Sequence, residues 1–465
     1  MQDPEILRPN SGSRWHRWEP HVHAPGTVVN DQFGGVDSWE KYLATLEGAT
    51  PPLRAVGITD YYSTETYERA LEEKRKGRLA GCELIFPNIE MRLGVGTVKG
   101  KWVNIHLLVS PEDPNHIVEL KRFLSRLRFK AHDDTYSCTK EDLVKLGQRS
   151  DPKLTDPSTA LSHGSQQFKI VFDELRTAYS ESAWAKQNIL VAVAGSETDG
   201  TSGVREAADT TLRQEVEKFA HIIFASSAAQ RDFWLGRGAL PASEIIARYG
   251  SLKLCMHGSD AHEQAKVGAP DGSRYSWIKG SPSFDTLRQA CIDPGGRAFV
   301  GEEPPMSATP SQVISNVEIV NAPWAQTPLV ELNPGLVAII GARGSGKTAL
   351  ADAIAHGCDS TSERLSSTSF LSRARELLDG ASVKLRWHEG DEIERPLDGF
   401  DDASAAEYPR ARYLSQKFVE DLCSATGMTD ELLSEIERVI FEAHTFADRD
   451  GTADFAELHE LRTTR

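Results

Sequence analysis

Short apolar runs recur along the chain up to about Gly301, separated by stretches with helical spacing. They cover 54–59 (RAVGIT), 102–109 (WVNIHLLV), 189–194 (ILVAVA), 222–225 (IIFA) and 252–256 (LKLCM). Runs of this length, rich in Val, Ile and Leu and alternating with helices, predict βα units around a mostly parallel sheet or barrel. The stretch from Pro111 to about Gln167 breaks the pattern. It predicts one amphipathic helix over 117–127, then turns polar and rich in Asp, Ser and Lys, as an insertion between two strands would. The Pro- and Ser-rich stretch 302–311 (EEPPMSATPS) is the best linker. Beyond it, 316–320 (NVEIV) and 335–340 (GLVAII) are strand-like, and helices with charged faces follow from about Thr429. The expected organisation is a first domain over 1–300 with its insertion at 111–167, a linker at 301–312, and a second domain over 313–465.

Composition narrows this picture. A chain of 465 residues allows roughly three domains and can bury a large core without disulfide or metal staples. Nine Trp, ten Tyr and seventeen Phe are too many for a predominantly disordered chain. No stretch approaches a membrane span, and the first residues have no apolar signal core. The six cysteines are far apart with no CxxC pair, so a reducing cytoplasm is the expected location. With 52 Lys plus Arg against 68 Asp plus Glu, the net charge of −16 gives no bulk attraction for nucleic acid. A nucleic-acid partner would need a local patch or a bound metal.

One motif is contiguous. Residues Gly341, Ala342, Arg343, Gly344, Ser345, Gly346, Lys347 and Thr348 fit GxxxxGK[ST], after the strand-like GLVAII and before a helix expected over 348–356. Such glycines let backbone N–H groups curl around phosphates, at a helix N-terminus that favours negative charge. Lys347 would reach the β- and γ-phosphates and Thr348 would hold Mg²⁺, with Ala349 continuing the helix. The alternative is a glycine-rich strand–helix turn without a ligand. Expected cofactors here are ATP and Mg²⁺.

Histidines and carboxylates gather at apparent strand ends. His21 and His23 form an HxH pair, and residues i and i+2 of a strand point to one side. Asp260 and His262 repeat the spacing after LKLCM, with His257 just before them. Between these come Asp60 after a strand, Glu90 after an apolar run, and His106 within one. These five imidazoles and three carboxylates, without a thiolate, would suit one or two Zn²⁺, Mn²⁺ or Fe²⁺ ions with open positions. Each residue alone is as easily a hydrogen-bonded structural group.

The combined order HxH, TD, E, H, SDAH resembles the PHP (polymerase and histidinol phosphatase) domain over most of residues 15–300. The stretches 231–236 (RDFWLG) and 274–279 (RYSWIK) look like the PHP proteins fused to an SMC-like ATPase, the TrlF-like and Ppl-type anti-phage proteins. This resemblance implies an α/β fold: a distorted (β/α)7 barrel followed by a partial ABC/SMC-type P-loop head. It implies His21, His23, Glu90, Asp260 and His262 as core ligands, with Glu90 bridging and with Glu90, Asp260 and His262 as catalytic groups. His106 and Asp60 are further expected ligands, and His257 is a ligand or a group orienting one. Arg274 and Lys279 are candidates to hold a substrate phosphate. Tyr61 and Tyr62 stand where the family has a His after the TD Asp, so a mono- or dinuclear site is expected. The family's later His is replaced near Gly195, with Glu197 or Asp199 as stand-ins. Gln416, after Arg412-Tyr413-Leu414-Ser415, resembles a Q-loop glutamine. No LSGG-like signature or Walker B carboxylate follows, so the sequence predicts a first half-head, from a longer protein or a degenerate ATPase.

Three functions remain in competition at this point. One is a metal-dependent nuclease, with DNA as partner, dimerising through ATP-binding heads in genome defence. Another is a terminal-phosphate or small-molecule phosphatase with a nucleotide-sensing head. The third is a degenerate PHP scaffold on an ATPase. None calls for a membrane.

Overall fold

The computed structural model describes residues 12–305, 309–360, 369–398, 411–414 and 451–463, with a few positions between 433 and 449. The chain divides into two compact units, Gly12–Met306 and Ser307–Arg465. Among the described residues no helix is long and apolar enough to cross a membrane.

In the first unit the apolar runs become strands. These are β1 (Trp15–His23), β2 (Leu53–Tyr61), β3 (Leu84–Gly96), β4 (Trp102–Val109), β5 (Arg128–Ala131), β6 (Asp134–Ser137), β7 (Ile189–Ala194), β8 (Ile222–Phe224), β9 (Leu254–Met256), β10 (Tyr275–Lys279) and β11 (Ala298–Gly301). Nine of them form one mixed sheet in the order β11-β10-β1-β2-β3-β4-β7-β8-β9. Its end strands β9 and β11 lie against each other, so the sheet is a nearly closed barrel. β1, β2 and β3 are parallel, as are β7, β8 and β9, whereas β4 and β10 run antiparallel to both neighbours. The expected mostly parallel sheet therefore carries two antiparallel strands. The carboxyl ends of the six parallel strands, together with the first residues of β4 and β10, make one mouth.

Alternation along β3 and β4 shows how the interior is layered. Ile89, Met91 and Leu93 of β3, with Val103, Ile105 and Leu107 of β4, face outward into a core shared with the insertion. The opposite face reads Leu84, Phe86, Asn88, Glu90 and Arg92 along β3. Antiparallel β4 brings Leu108, His106, Asn104 and Trp102 to the same face, with His106 opposite Glu90 and Asn104 opposite Arg92. The lower residues are apolar and pack with Trp18, Ala192, Met256 and Ile278 on the helix Phe284–Ile292. The floor of the barrel is therefore a packed core, and polarity begins only above it.

Between β4 and β7 run the helix His116–Leu124, the β5–β6 hairpin, and the helices Lys140–Ser150 and Pro157–Gln167. The stretch that reads as polar is thus helical, and capping supplies the reason. Thr139 accepts from the Asp142 N–H and Asp156 from the Thr159 N–H, satisfying donors that a helix start leaves open. The two helices touch at glycines: a Cβ on Gly147 would stand 1.9 Å from the Ala160 carbonyl oxygen.

The second unit holds an antiparallel sheet of β12 (Ile314–Val320), β13 (Leu329–Glu331), β14 (Ser382–Trp387) and β15 (Glu392–Pro396), ordered β13-β12-β14-β15. Val317, Val383, Leu385 and Trp387 of this sheet pack with Ala353 of the helix Lys347–Gly357. The strand expected over 335–340 is not formed: the backbone there is irregular, with Leu336 95% and Ile340 89% exposed. A P-loop strand is normally buried on both faces between neighbours, and no described residue pairs with this segment. The glycine loop nevertheless turns into the helix, with Gly344 at φ +84 and Gly346 at φ +88. Lys347 Nζ donates to the carbonyls of Gly341 and Ala342, both at 2.8 Å. Arg343, Ser345 and Thr348 lie exposed on this loop and helix start, while Ala349 is half-buried. Gln416 lies outside the described residues.

Candidate metal centre

At the barrel mouth β1 ends on His21 and His23, β3 brings up Glu90, and the loop after β9 returns Asp260. One ligand atom from each lies within 4.8 Å of every other. His21 Nε2 is 3.1 Å from Glu90 Oε2 and 3.2 Å from Asp260 Oδ1. His23 Nε2 is 3.2 Å and 3.6 Å from the same two oxygens. An ion with bonds of about 2 Å and tetrahedral geometry has ligand–ligand edges of about 3.3 Å. The donor set and its spacing therefore fit a divalent cation.

Neighbouring groups fix the imidazoles for this task. The Thr27 hydroxyl donates to Asp60 Oδ1 at 3.0 Å and so accepts from His23 Nδ1, also at 3.0 Å. That tautomer leaves Nε2 with its lone pair turned to the cluster. Asn88 does the same for His106, with Oδ1 3.1 Å from Nδ1, while its amide donates to the Pro20 carbonyl and the Thr59 hydroxyl. Asn104 donates to Glu90 Oε1 at 2.7 Å, which leaves Oε2 to the two histidines. Buried Glu19 accepts from the Ser259 N–H at 2.9 Å, tying the Asp260 loop to β1. Gly258 makes that approach possible: a Cβ there would lie 2.6 Å from Glu19 Oε1 and 2.7 Å from His21 Cβ. Asp260 has φ +47, a left-handed conformation that costs free energy for a residue with a side chain.

Charge is concentrated here. Burial disfavours protonated His21, but Asp260 and then Glu90 outweigh it and push its pKa up to about 9. Burial would raise Glu90, yet the His21 and His23 ring nitrogens beside it, with the nearby His106, hold it well below the usual carboxylate range. Burial pushes His106 down to about 3 and His257 and His262 to about 4, so these imidazoles are neutral and able to bind a cation. Burial lifts Glu19 to about 7.

The other expected ligands fall at different depths. The His262 ring stacks on His23 at 4.0 Å, with Nε2 3.6 Å from Asp260 Oδ1 and a buried Nδ1 that has no hydrogen-bond partner among the described residues. His106 packs against His21 at 4.7 Å between ring centres. His257 Nε2 is buried near the His21 charge, without a hydrogen-bond partner among the described residues. Asp60 corrects an expectation. Its oxygens are taken by Thr27, the N–H groups of Val28 and Tyr61, and Thr66, so it orients His23 through Thr27 and does not join the cluster. Alternation explains this, because Thr59 and Tyr61 point into the barrel and Asp60 away from it.

Of the proposed stand-ins, Asp199 accepts from Asn104 at 3.5 Å, whereas Glu197 pairs with Lys99. Lys279 is a second correction. It pairs in register with Trp15 at the start of β1, at the far end of the barrel from the cluster. Arg274 is at the mouth, donating to the Asp271 and Ser226 carbonyls. Thr27, Asn88, Asn104 and Glu19 went unread in the sequence. The signal for the asparagines was their two-residue spacing from Glu90 and His106.

No family model matches the chain, and no curated protein matches it by sequence. Among solved structures it is similar to a Bifidobacterium adolescentis protein described as a proposed metal-dependent phosphoesterase. Sequence identity is 15% and the TM-score 0.31, over 61% of this chain and 98% of that one.

Proposed function

We propose that the barrel unit is a metal-dependent phosphoesterase. The observation that carries this reading is the convergence of His21, His23, Glu90 and Asp260 at one mouth, with His106 and His262 beside them. Divalent ions held there would activate water and neutralise the attacking and leaving oxygens of a phosphoryl transfer. The protein's own part is to keep the imidazole nitrogens deprotonated on the cluster side, through Thr27–Asp60 and Asn88, and to aim Glu90 through Asn104. Asp260 is the most accessible ligand, its side chain 59% exposed, and faces the side from which a substrate enters.

The PHP-like order of motifs supports the same chemistry. The likeness to TrlF-like and Ppl-type proteins, with GxxxxGKT downstream, supports a nuclease acting on DNA in anti-phage defence, coupled to an ATP- and Mg²⁺-binding head that self-associates. A terminal-phosphate or small-molecule phosphatase uses the same centre. The test is hydrolysis of p-nitrophenyl phosphate, linear DNA and RNA by the purified chain with Mn²⁺. Activity on any of them that Asp260→Ala abolishes supports the reading, and activity unchanged in that variant overturns the site.

A further inference from the structure

The inward face of β3 and β4 continues upward past the cluster. Arg92 stands one pleat beyond Glu90, about 7 Å further along the strand. Trp102 stands two pleats beyond His106 on β4, 42% exposed at the rim, opposite the side-chain-free Gly96. β2 ends at Tyr61, and above it the segment at Ile170 takes its place beside β3. The Ile170 N–H donates to the Arg92 carbonyl and the Gly94 N–H to that of Ile170. This sets Lys169 at the same level, its ammonium 5.5 Å from the centre of the Trp102 ring.

Neither cation has a carboxylate partner among the described residues. The Arg92 guanidinium lies 5.8 Å from the centre of the Tyr61 ring, which itself stacks on His23 at 5.0 Å. Lys169 Nζ donates only to the Gln166 and Phe168 carbonyls. Of other lysines, Lys99 pairs with Glu197, Lys121 with Glu68 and Lys140 with Glu65. Burial and then the Arg92 charge bring Lys169 down to about 8. In a chain with 68 acidic side chains, two adjacent cations without a carboxylate, beside an exposed indole and above a cation site, form a place for an anion that carries a ring.

We propose that Arg92, Lys169 and Trp102 form a nucleoside-phosphate subsite, in which Arg92 and Lys169 hold phosphate oxygens and Trp102 stacks on the base. The assignment rests on the phosphoesterase reading for its purpose but on its own residues for binding. The shared ligand chemistry is a base linked to a phosphate, from a mononucleotide or from a single strand. Guanidinium and ammonium donors recognise the phosphate, and the indole accepts any base because every base has a π-face.

Isothermal titration of the full chain with adenosine 5′-monophosphate, a six-nucleotide DNA strand and inorganic phosphate, in EDTA and again with Ca²⁺, tests it without turnover. Trp102→Ala is expected to weaken binding of the nucleotide or the strand about tenfold, with phosphate unchanged and Trp102→Phe restoring most of the loss. Arg92→Ala and Lys169→Ala are expected to weaken nucleotide, strand and phosphate binding alike. The arm with the larger Trp102 effect, mononucleotide or strand, identifies the source of the ligand. Nucleotide and strand binding that is absent in the wild type, or equal in all variants, overturns the subsite. Hydrolysis of p-nitrophenyl phosphate by the same protein preparations, freed of EDTA and supplied with Mn²⁺, separates the two ideas. Its loss with binding intact contradicts the phosphoesterase, and its presence with binding absent contradicts only the subsite.

Discussion

The barrel mouth and the glycine loop each carry a recognisable motif, but only the first is assembled into a supported site. At the mouth His21, His23, Glu90 and His106 rise from strands whose other face is buried. Glu90 alternates with Ile89 and Met91, and His106 with Ile105 and Leu107, all at most 1% exposed. Packing on one face thus determines where the other points. The loop after Ile340 has the right glycines and the right lysine, yet its lead-in residues Leu336 and Ile340 stand in solvent. A motif specifies local conformation, while a working site also needs neighbours that hold its strand. The difference between the regions is therefore one of tertiary support.

The largest effect expected at the mouth comes from removing a ligand. Glu90→Gln should lower metal affinity and phosphoesterase turnover by more than about a hundredfold, beyond the 10–100-fold typical of groups that only orient ligands. Thr27→Val and Asp60→Asn, which act on His23 from behind, should fall within that 10–100-fold range, measured by competition with a metal chelator. Equal losses for Asp60→Asn and Glu90→Gln would return Asp60 to the ligand set.

Stability sharpens the contrast next. Gly258→Ala would press a methyl group on Glu19 and His21 and should cost about 1–3 kcal/mol in thermal or urea unfolding of the first unit. The pH dependence of that unfolding has a definite sign. Burial lowers His221 to about 4, below its ordinary value of 6.5. Between those values the unfolded chain takes up a proton that the folded chain refuses. Stability is then full above about pH 6.5 and lost as pH falls through 4, by on the order of 2 kcal/mol. His221→Gln should flatten that acid limb. The smallest effect belongs to the loop: Lys347→Ala should abolish ATP binding in equilibrium dialysis yet leave p-nitrophenyl phosphate hydrolysis by residues 1–465 within twofold of wild type.

Much of the mouth was legible in the sequence, because a period of two is simple to read. HxH placed two donors on one side of a strand, whereas Asp260 of DxH joins His21 and His23 from a loop, in a left-handed conformation. Asp60 was misread because strand-end position was weighed above parity: Thr59 and Tyr61 take the inward direction and leave Asp60 to Thr27 and Thr66. Lys279 was misread because sequence distance from Asp260 says nothing about strand direction, and β10 runs downward. The antiparallel entry of β4 was not legible either, although it is what aligns His106, Asn104 and Trp102 with Glu90, Arg92 and Gly96. Strand pairing of this kind depends on contacts distant in sequence. The GLVAII strand failed for the complementary reason, since its apolar residues have no described partner strand to cover them.

His21, His23, Glu90 and Asp260 at the barrel mouth form a group that could hold a metal ion. Elemental analysis of the purified chain by plasma mass spectrometry, alongside Glu90→Gln and Asp260→Ala, tests it most directly. One or two transition-metal ions per wild-type chain are expected, with loss of at least one in each variant. A wild-type chain with well under one ion after metal supplementation, or variants that keep the full complement, would contradict it.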